Sequence, residues 1–261
     1  MHPIKSIEAR IQGYTLSHFK NSNYARKLRK FKDIHRGESC FIVGNGPSLR
    51  AEDLEILHKK NIPCFAFNRI YLMFDKTNWR PTYYMSQDEK TLFNSQKQIN
   101  DLVDIKYKFI PLSLKYYNGI RIKSALYFNL IGGYDGEKYS FSSDVAEGIE
   151  NSTTVAHSAI QFAAYMGFSK IYLIGVDHSF SIFQNEKGEI FRDSSVKDYF
   201  AENYNLDKKD LYIPRIDRST KAFLASKEYC DQNDIEIKNA TRGGKLEVFE
   251  RVDLDKLLDE F

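Results

Sequence analysis

The sequence is poor in cysteine, and its three cysteines form no recognisable pattern. Cys40, Cys64 and Cys230 are scattered along the chain, whereas a disulfide framework or a zinc site has a characteristic spacing. Cys40 and Cys64 lie in apolar, strand-like runs, so we expect them to be buried thiols. Together with the lack of a signal peptide, this pattern favours a reducing, cytoplasmic location.

The chain also lacks a large net charge and a long apolar run. A formal net charge of +3 in 261 residues is too small to argue for a nucleic-acid partner. No apolar run approaches the roughly 20 residues that span a bilayer. Repeats and low-complexity linkers are missing too. The length therefore fits one large domain, or one domain with a substantial insertion.

One segment is strongly basic although the net charge of the whole chain is small. Residues 20–36 hold seven Lys or Arg against one Asp. We expect residues 1–36 to form a basic, helical amino-terminal segment ahead of a domain over 37–261. One interpretation is a solvated helix that packs on the domain by its aromatic side. The other is peripheral contact of residues 20–36 with the inner face of a membrane, where each Lys or Arg adds about 1 kcal/mol on anionic lipid.

Residues 39–49, SCFIVGNGPSL, predict a strand, a glycine turn and then a helix over 51–58. Gly44 and Gly46 suit a turn in which the backbone approaches something closely. Such a turn can present backbone N–H groups to a phosphate. The pattern is neither GxGxxG nor a Walker loop, because no Lys-Ser/Thr follows the second glycine. A βα turn without a ligand is the other interpretation.

Apolar runs alternate with helical stretches along the chain, which predicts an α/β fold with a mostly parallel sheet flanked by helices. Further strands are predicted over residues 62–67, 81–85, 107–112, 124–130, 170–176 and 235–238. Ligands of such sheets lie beyond the carboxyl ends of the strands. Asn45, Asn68, Ser86 and Asp88 fall at such ends. They are candidates for a nucleotide pocket, or else caps of the helices that follow.

The second half of the chain adds another anion site and a candidate for acid–base chemistry. Residues 151–168 predict a helix capped by Ser152 or Thr153, whose amino terminus is the second candidate anion site. The strand over 170–176 ends in Asp177 and His178, which suit contact with ribose, metal binding or acid–base work. Residues 180–217 lose periodicity. An insertion of this length is more often a lid or a substrate-binding segment than a plain loop.

These motifs resemble two related groups of proteins. IVGNGPSL, the FN at 67–68, the Thr-rich helix start and GFSKIYLIGVD at 167–177 are similar to the bacterial sialyltransferases of glycosyltransferase family 42, which use CMP-sialic acid. They also resemble the 6-hydroxymethylpterin diphosphokinase MptE-like family, which contains flagellin-glycosylating motility accessory factors. The closing NATRGGKLEVFERVD looks like the MptE-like proteins found among surface-polysaccharide genes. The resemblance spans about residues 38–253.

The resemblance implies a Rossmann-like sheet that binds a nucleotide at its carboxyl edge. In the sialyltransferases, asparagines that correspond to Asn45 and Asn68 bind CMP, and a Ser/Thr turn contacts the phosphate or the sugar. The nucleotide-binding residues expected here are Gly44, Asn45, Gly46, Pro47, Ser48, Asn68, Ser86, Asp88, Ser152, Thr153 and Thr154.

The chain departs from the sialyltransferases in the predicted lid. Those enzymes place a catalytic histidine after a Tyr-Ile-Gly, where this chain has Tyr212-Ile213-Pro214-Arg215. Arg215 is a poor base because it stays protonated, but it suits the clamping of a phosphate or a carboxylate. We therefore take His178, Asp177 and Arg215 as the candidate catalytic residues, with Asp217 as a further candidate base.

Three functions remain open from the sequence. The first is a glycosyltransferase of lipopolysaccharide or capsule assembly with a CMP-activated, sialic-acid-like donor, a glycan or lipid-linked acceptor and no required cofactor. The second is a diphosphokinase that moves pyrophosphate from ATP, with Mg²⁺ on carboxylates such as Asp88 and Asp177. The third is a non-catalytic partner that binds a nucleotide or a glycan. The sequence also leaves a homo-oligomer open.

Overall fold

The computed structural model describes residues 3–205 and 211–261. Its described strands, numbered along the chain, are β1 Ser39–Val43, β2 Cys64–Phe67, β3 Tyr83–Met85, β4 Tyr107–Pro111, β5 Ala125–Phe128, β6 Leu130–Ile131, β7 Ile149–Glu150, β8 Lys170–Ile174, β9 Ile182–Gln184, β10 Ile190–Arg192, β11 Glu236–Asn239 and β12 Glu250–Arg251. The described α-helices are α1 Pro3–Ser17, α2 Asn23–Leu28, α3 Ala51–Lys59, α4 Glu89–Asp101, α5 Leu112–Tyr117, α6 Val155–Tyr165, α7 Ile216–Gln232 and α8 Leu254–Asp259.

The main sheet has eight strands in the order β12-β11-β8-β1-β2-β3-β4-β5, and every neighbouring pair is parallel. Cys40 to Val43 in β1 and Cys64 to Phe67 in β2 are buried. Continuous apolar runs of this kind form strands that are covered on both faces by helices. The predicted Rossmann-like α/β fold is confirmed, and the thiols of Cys40 and Cys64 are free and buried as expected.

The strand order reverses at β1, because successive strands are added first on one side of it and then on the other. From β1 it proceeds through β2, β3 and β4 to β5 on one side, and it then returns to place β8 on the other side of β1. The loops after β1 and β8 therefore diverge from a shared point at the carboxyl edge, where the strands end. This reversal is the topological switch point at which parallel α/β sheets hold their ligands.

The amino-terminal segment packs on the same core as the sheet. Within it Phe19, Ala25, Leu28 and Phe31 are buried, and the Phe31 ring lies 5.0 Å from that of Tyr107. Near the end of α1 the segment contacts the carboxyl end of β5, where the Asn129 amide donates to the Leu16 carbonyl. It ends at the amino edge of β1, where the Ser169 hydroxyl donates to the Gly37 carbonyl. No described helix is long and apolar enough to cross a membrane.

Several elements differ from the sequence predictions. β8 ends at Ile174, two residues early, because Gly175 turns the backbone into the left-handed region at φ +64°. The helix expected from 151 begins at Val155, and its cap is Thr154 rather than Ser152 or Thr153. The expected lid opens with the antiparallel hairpin β9–β10, and α7 already begins at Ile216. Residues 206–210 of that lid lie outside the described residues.

A buried histidine connects α6 to its surroundings. His157 Nδ1 lies 2.8 Å from the Ser226 hydroxyl on α7, and Nε2 lies 3.2 Å from the Ser140 carbonyl. Burial lowers the pKa of this imidazole to about 4, although hydrogen bonds to backbone carbonyls oppose the shift. His157 is therefore a neutral structural group that joins α6 and α7.

Candidate functional site

The glycine turn after β1 packs directly on the end of β8. Gly44 N donates to the Ile174 carbonyl, and Gly46 N donates to the Gly175 carbonyl, both at 2.8 Å. A Cβ atom on Gly44 would lie 2.2 Å from the Gly175 oxygen. Both glycines are therefore needed for a close backbone approach, and their two amides are engaged within the fold rather than directed at a ligand.

The carboxylate of Asp177 occupies the concave side of this turn. Its Oδ2 accepts a hydrogen bond of 2.7 Å from the Ser48 hydroxyl, and a Cβ atom on Gly46 would lie 1.8 Å from the same oxygen. Asp177 is 9% exposed. Burial raises the pKa of this carboxyl group, and hydrogen bonds from Ser48 oppose the rise. The turn therefore contacts the carboxylate of Asp177, a group of the same chain.

Two asparagines lie next to this turn at the ends of β1 and β2. The Asn45 amide donates to the Phe67 carbonyl at 3.2 Å, and the Asn68 carbonyl oxygen Oδ1 accepts 2.8 Å from the Ser86 hydroxyl. Asn68 has the left-handed φ of +49°. Asn45 Oδ1 is buried and finds no donor within the described chain. An unsatisfied buried acceptor is unusual, and it makes Asn45 a candidate ligand contact.

Part of the expected lid lies on these strand ends. Phe200 N donates to the Asn45 carbonyl at 3.1 Å, and Arg69 N donates to the Tyr204 hydroxyl at 3.2 Å. The rings of Tyr199 and Tyr204 are stacked at 3.9 Å. An aromatic cover therefore sits over the ends of β1 and β2.

His178 follows Asp177 and is held by α7. Its Nε2 lies 2.7 Å from the Thr220 hydroxyl, and that hydroxyl donates its one hydrogen to the Ile216 carbonyl at 3.0 Å. When the hydroxyl hydrogen goes to Ile216, Nε2 is the donor of the bond to Thr220 and Nδ1 is unprotonated. Burial lowers the pKa of His178 to about 4, and attraction to Asp217 only partly opposes this. The imidazole is neutral at pH 7, so one of its ring nitrogens carries a lone pair that can accept a proton.

Two adjoining cavities open beside Asp177 and His178, and we call them together the cleft. One has a volume of about 310 Å³ and includes His178 and Thr220 in its wall. The other has a volume of about 250 Å³ and includes Pro47 and Asp177. Lys245 lines both cavities. Lys197 also lines the smaller one, so two cations border a space that reaches from the glycine turn to the imidazole.

The remaining predicted site residues lie on helix starts around the same edge. Asp88 caps α4 by accepting a hydrogen bond of 2.6 Å from Thr91 N. The Ser152 carbonyl accepts 3.1 Å from the Gln87 amide, and the Thr153 hydroxyl lies 3.1 Å from that of Ser219 in α7. Arg215 stands at the N-cap of α7. The turn before α6 and the start of α7 are therefore neighbours.

The structure does not bring Asp88 and Asp177 together. Asp177 follows β8 and Asp88 follows β3, with β1 and β2 between them. Three strand spacings correspond to roughly 14 Å, which is too far for two carboxylates to share one metal ion. Over residues 3–205 and 211–261, no three His, Cys, Asp or Glu side chains group as metal ligands.

Several residues of the cleft were not predicted from the sequence. Lys245 N donates to the Asp177 carbonyl at 2.7 Å, and a Cβ atom on Gly244, at φ +75°, would lie 2.9 Å from the same oxygen. Lys197, which lines the smaller cavity, was also not predicted. The Gly-Gly-Lys at 243–245 was a usable signal, because paired glycines ahead of a lysine indicate a tight turn that presents a cation.

Comparison with known proteins adds the family. Residues 16–183 match the family model described as 6-hydroxymethylpterin diphosphokinase MptE-like. The chain belongs to this family. The expected resemblance to MptE-like proteins is thereby confirmed, and the matched region contains the glycine turn, β8 and His178.

One similar solved structure is that of a MAf glycosyltransferase from Magnetospirillum magneticum AMB-1. The two chains are 13% identical with a TM-score of 0.49, over 89% of this chain and 38% of the other. The MptE-like chain thus spans little more than a third of the length of that protein. A comparison with curated proteins found no match.

Proposed function

We propose that this MptE-like protein is a glycosyltransferase of bacterial surface-glycan assembly that takes a CMP-activated, sialic-acid-like sugar. The observation that carries the proposal is the neutral imidazole of His178 on the wall of the 310 Å³ cavity. In the tautomer that carries its proton on Nε2, Nδ1 serves as the base. The orphaned Asn45 Oδ1 supports a nucleotide contact beside it, at the position that the resemblance to the sialyltransferases assigns to CMP.

In the proposed reaction, Nδ1 of His178 takes the proton of an acceptor hydroxyl. The acceptor oxygen forms a bond to the anomeric carbon of the donor sugar while the bond from that carbon to the CMP phosphate oxygen breaks. CMP leaves with the electron pair. Lys197 and Lys245 border the cleft, where they would stabilise the charge that develops on the phosphate. Arg215 would hold a negative group of donor or acceptor.

The diphosphokinase alternative receives less support from the geometry. Phosphoryl and diphosphoryl transfer from ATP depends on Mg²⁺ held by carboxylates near the phosphates. Asp177 is engaged by Ser48 and Asp88 by the backbone of α4. Both carboxylates already have partners within the fold, and they lie on either side of β1 and β2.

The proposed acceptor is a glycan or a lipid-linked glycan, and the proposed location is the cytoplasm, with peripheral contact at the inner membrane through residues 20–36. The carboxyl end of that segment lies at the amino edge of the sheet, opposite the cleft. Lipid contact there would hold the enzyme at the surface while the cleft faces away from it. A homo-oligomer is compatible with this arrangement.

A thermal-shift panel tests the proposal. CMP in excess EDTA should raise the melting temperature, since a ligand that binds only the folded state stabilises it. Asn45→Ala should weaken CMP binding by about 1–3 kcal/mol through the lost polar contact, while Asn23→Ala, an exposed asparagine on α2, should not. A shift by ATP only with Mg²⁺ would favour the diphosphokinase. No shift with either nucleotide would indicate a non-catalytic protein.

A further inference from the structure

Three cations at the start of α7 form a cluster that the proposed reaction leaves largely unused. Arg215 is at the N-cap, and Arg218 and Lys221 follow on the next turns; we call these three the cation cluster. The ring of Tyr134 joins two of them. The Arg218 guanidinium lies 4.6 Å from its centroid, and Lys221 Nζ donates to its hydroxyl at 2.8 Å.

The charges around the cluster are not balanced within the described chain. Glu186 forms an ion pair of 2.6 Å with Lys221, and Asp217 accepts 2.9 Å from Glu186 N. Three cations therefore face two carboxylates, and neither arginine has a carboxylate within ion-pair distance among the described residues. The amino end of a helix already carries partial positive charge, which makes cations there unfavourable.

The arginines also leave buried donors unused. Nε of Arg215 and Nε of Arg218 are both buried, and neither finds an acceptor in the part of the chain that the structure describes. A buried donor without a partner destabilises the fold. A guanidinium can hold two oxygens of one carboxylate or phosphate through parallel hydrogen bonds. An oxyanion would satisfy both the excess charge and the unpaired nitrogens.

The cluster lies beside the cleft rather than inside it. Ile216 and Thr220, on the same two turns of α7, line the cavity with His178. The Thr153 hydroxyl lies 3.1 Å from Ser219, so the turn before α6 closes the other side. α7 also falls outside residues 16–183, which match the family model. The cluster is therefore a feature of the carboxyl-terminal part of this chain.

We infer that the cation cluster is a second substrate subsite, which binds an oxyanion of the carboxylate or phosphate class. A substrate held there by its negative group would extend along α7 towards His178. The assignment to a substrate rests on the proposed function, whereas the oxyanion site itself does not. A sugar carboxylate and the pyrophosphate of a lipid-linked acceptor are the two sources of such a group.

Isothermal calorimetry on the whole chain, at low salt and in EDTA, tests the subsite with two probes. Inorganic pyrophosphate represents the phosphate source and N-acetylneuraminate the carboxylate source, so the tighter probe identifies the source. Arg218→Gln should weaken that probe at least about tenfold, because a charge-assisted hydrogen bond is lost. Lys227→Gln is the matched control, since Lys227 lies on the same helix and is paired with Asp231 at 2.6 Å; its affinity should stay at the wild-type level.

The Glu186→Gln variant should bind the probe several-fold more tightly than the wild type, because the substitution removes the carboxylate that competes with the probe for Lys221. The inference is overturned if the wild type binds neither probe, if Arg218→Gln keeps its affinity, or if Lys227→Gln loses as much. CMP titrated into the same proteins separates the two proposals. If the wild type does not bind CMP, the proposed glycosyltransferase function is contradicted. The pyrophosphate and N-acetylneuraminate titrations test the oxyanion site independently of that result.

Discussion

His178 is the residue on which the proposed chemistry depends, and its backbone determines the best substitution. Its φ of +53° is a conformation that asparagine tolerates well, so His178→Asn should preserve the fold. General-base catalysis contributes about 10²–10⁴-fold. We therefore expect kcat to fall at least about a hundredfold in His178→Asn, with little change in melting temperature.

Two control variants distinguish the role of His178 as a base from the role of the residue that positions it. Thr220→Val removes the hydroxyl that lies 2.7 Å from Nε2 of His178, and we expect an intermediate loss of rate because the imidazole loses this hydrogen bond. His58→Ala, on the exposed end of α3, should have no effect. The pKa of His178, lowered to about 4, also predicts a wild-type rate that stays constant on acidification until that pH region. Unchanged turnover of His178→Asn would transfer the role of base to another group, with Asp217 next to be tested.

At the residue scale, the sequence could predict positions but not partners. Asn45, Asn68 and Asp177 were singled out because each follows an apolar strand, and all three do lie at the carboxyl edge. That the Asp177 carboxylate would fill the glycine turn depends on Ser48, 129 positions away in the chain. No local pattern encodes such a contact, and the role of the turn as a nucleotide site stays a prediction.

At the scale of elements, the His157 connection between α6 and α7 gives the fold a predictable pH dependence. In the unfolded chain this imidazole titrates near 6.5, whereas burial lowers its native pKa to about 4. Below about pH 6.5 the imidazole is protonated in the unfolded state but stays neutral in the native state. The free energy of unfolding therefore falls as the pH falls from about 6.5 to about 4. The full contribution is about 3 kcal/mol in the free energy of unfolding.

Urea unfolding of the wild type and of His157→Gln at a series of pH values measures this contribution. Glutamine keeps a donor that can reach the Ser140 carbonyl, but it does not titrate. The difference in unfolding free energy between the two proteins should change with pH between about 6.5 and about 4. A constant difference would show that His157 does not contribute to acid destabilisation. The contribution of His178 to the pH dependence is the same in both proteins, so it cancels in this difference.

Elements were predictable where the burial pattern is strong. β1, β2 and β8 are buried apolar runs with glycine or asparagine just beyond them, and all were predicted close to their observed bounds. The hairpin β9–β10 was missed because its strands have only three residues each. Ile190, Phe191 and Arg192 of β10 are exposed, so no alternation of buried and exposed residues exists there to detect.

At the scale of the whole molecule, the basic segment presents a charged surface. Arg26, Lys27, Lys30 and Lys32 are exposed, and none forms an ion pair within the described part of the chain. Each should contribute about 1 kcal/mol on anionic lipid, and the attraction should fade as salt rises.

Vesicle co-sedimentation tests this surface. The wild type should sediment with vesicles that contain phosphatidylserine and remain free with neutral ones. Combined substitution of Lys27, Lys30 and Lys32 by Glu should abolish sedimentation, whereas substitution by Glu of the exposed Lys59 and Lys60, at the end of α3, should not. Equal sedimentation with both kinds of vesicle would contradict the membrane contact.

The alternation of strands and helices was enough to predict a parallel sheet and the residues at its carboxyl edge. It could not predict that β8 returns beside β1, because strand order depends on long-range pairing such as Val43 with Ile174. That pairing creates the switch point and brings Asp177 to the glycine turn. The cleft is thus a product of the overall topology, and local sequence patterns could not predict that Lys197 and Lys245 line it.

The most direct test of the central claim is turnover of a CMP-activated sugar without metal. CMP-N-acetylneuraminate should release CMP in the presence of EDTA and a glycan acceptor, and release should fall in His178→Asn but not in His58→Ala. ATP with Mg²⁺ should yield neither AMP nor a diphosphorylated product. Absence of CMP release by the wild type, together with AMP formation that requires Mg²⁺, would contradict the glycosyltransferase account and establish a diphosphokinase.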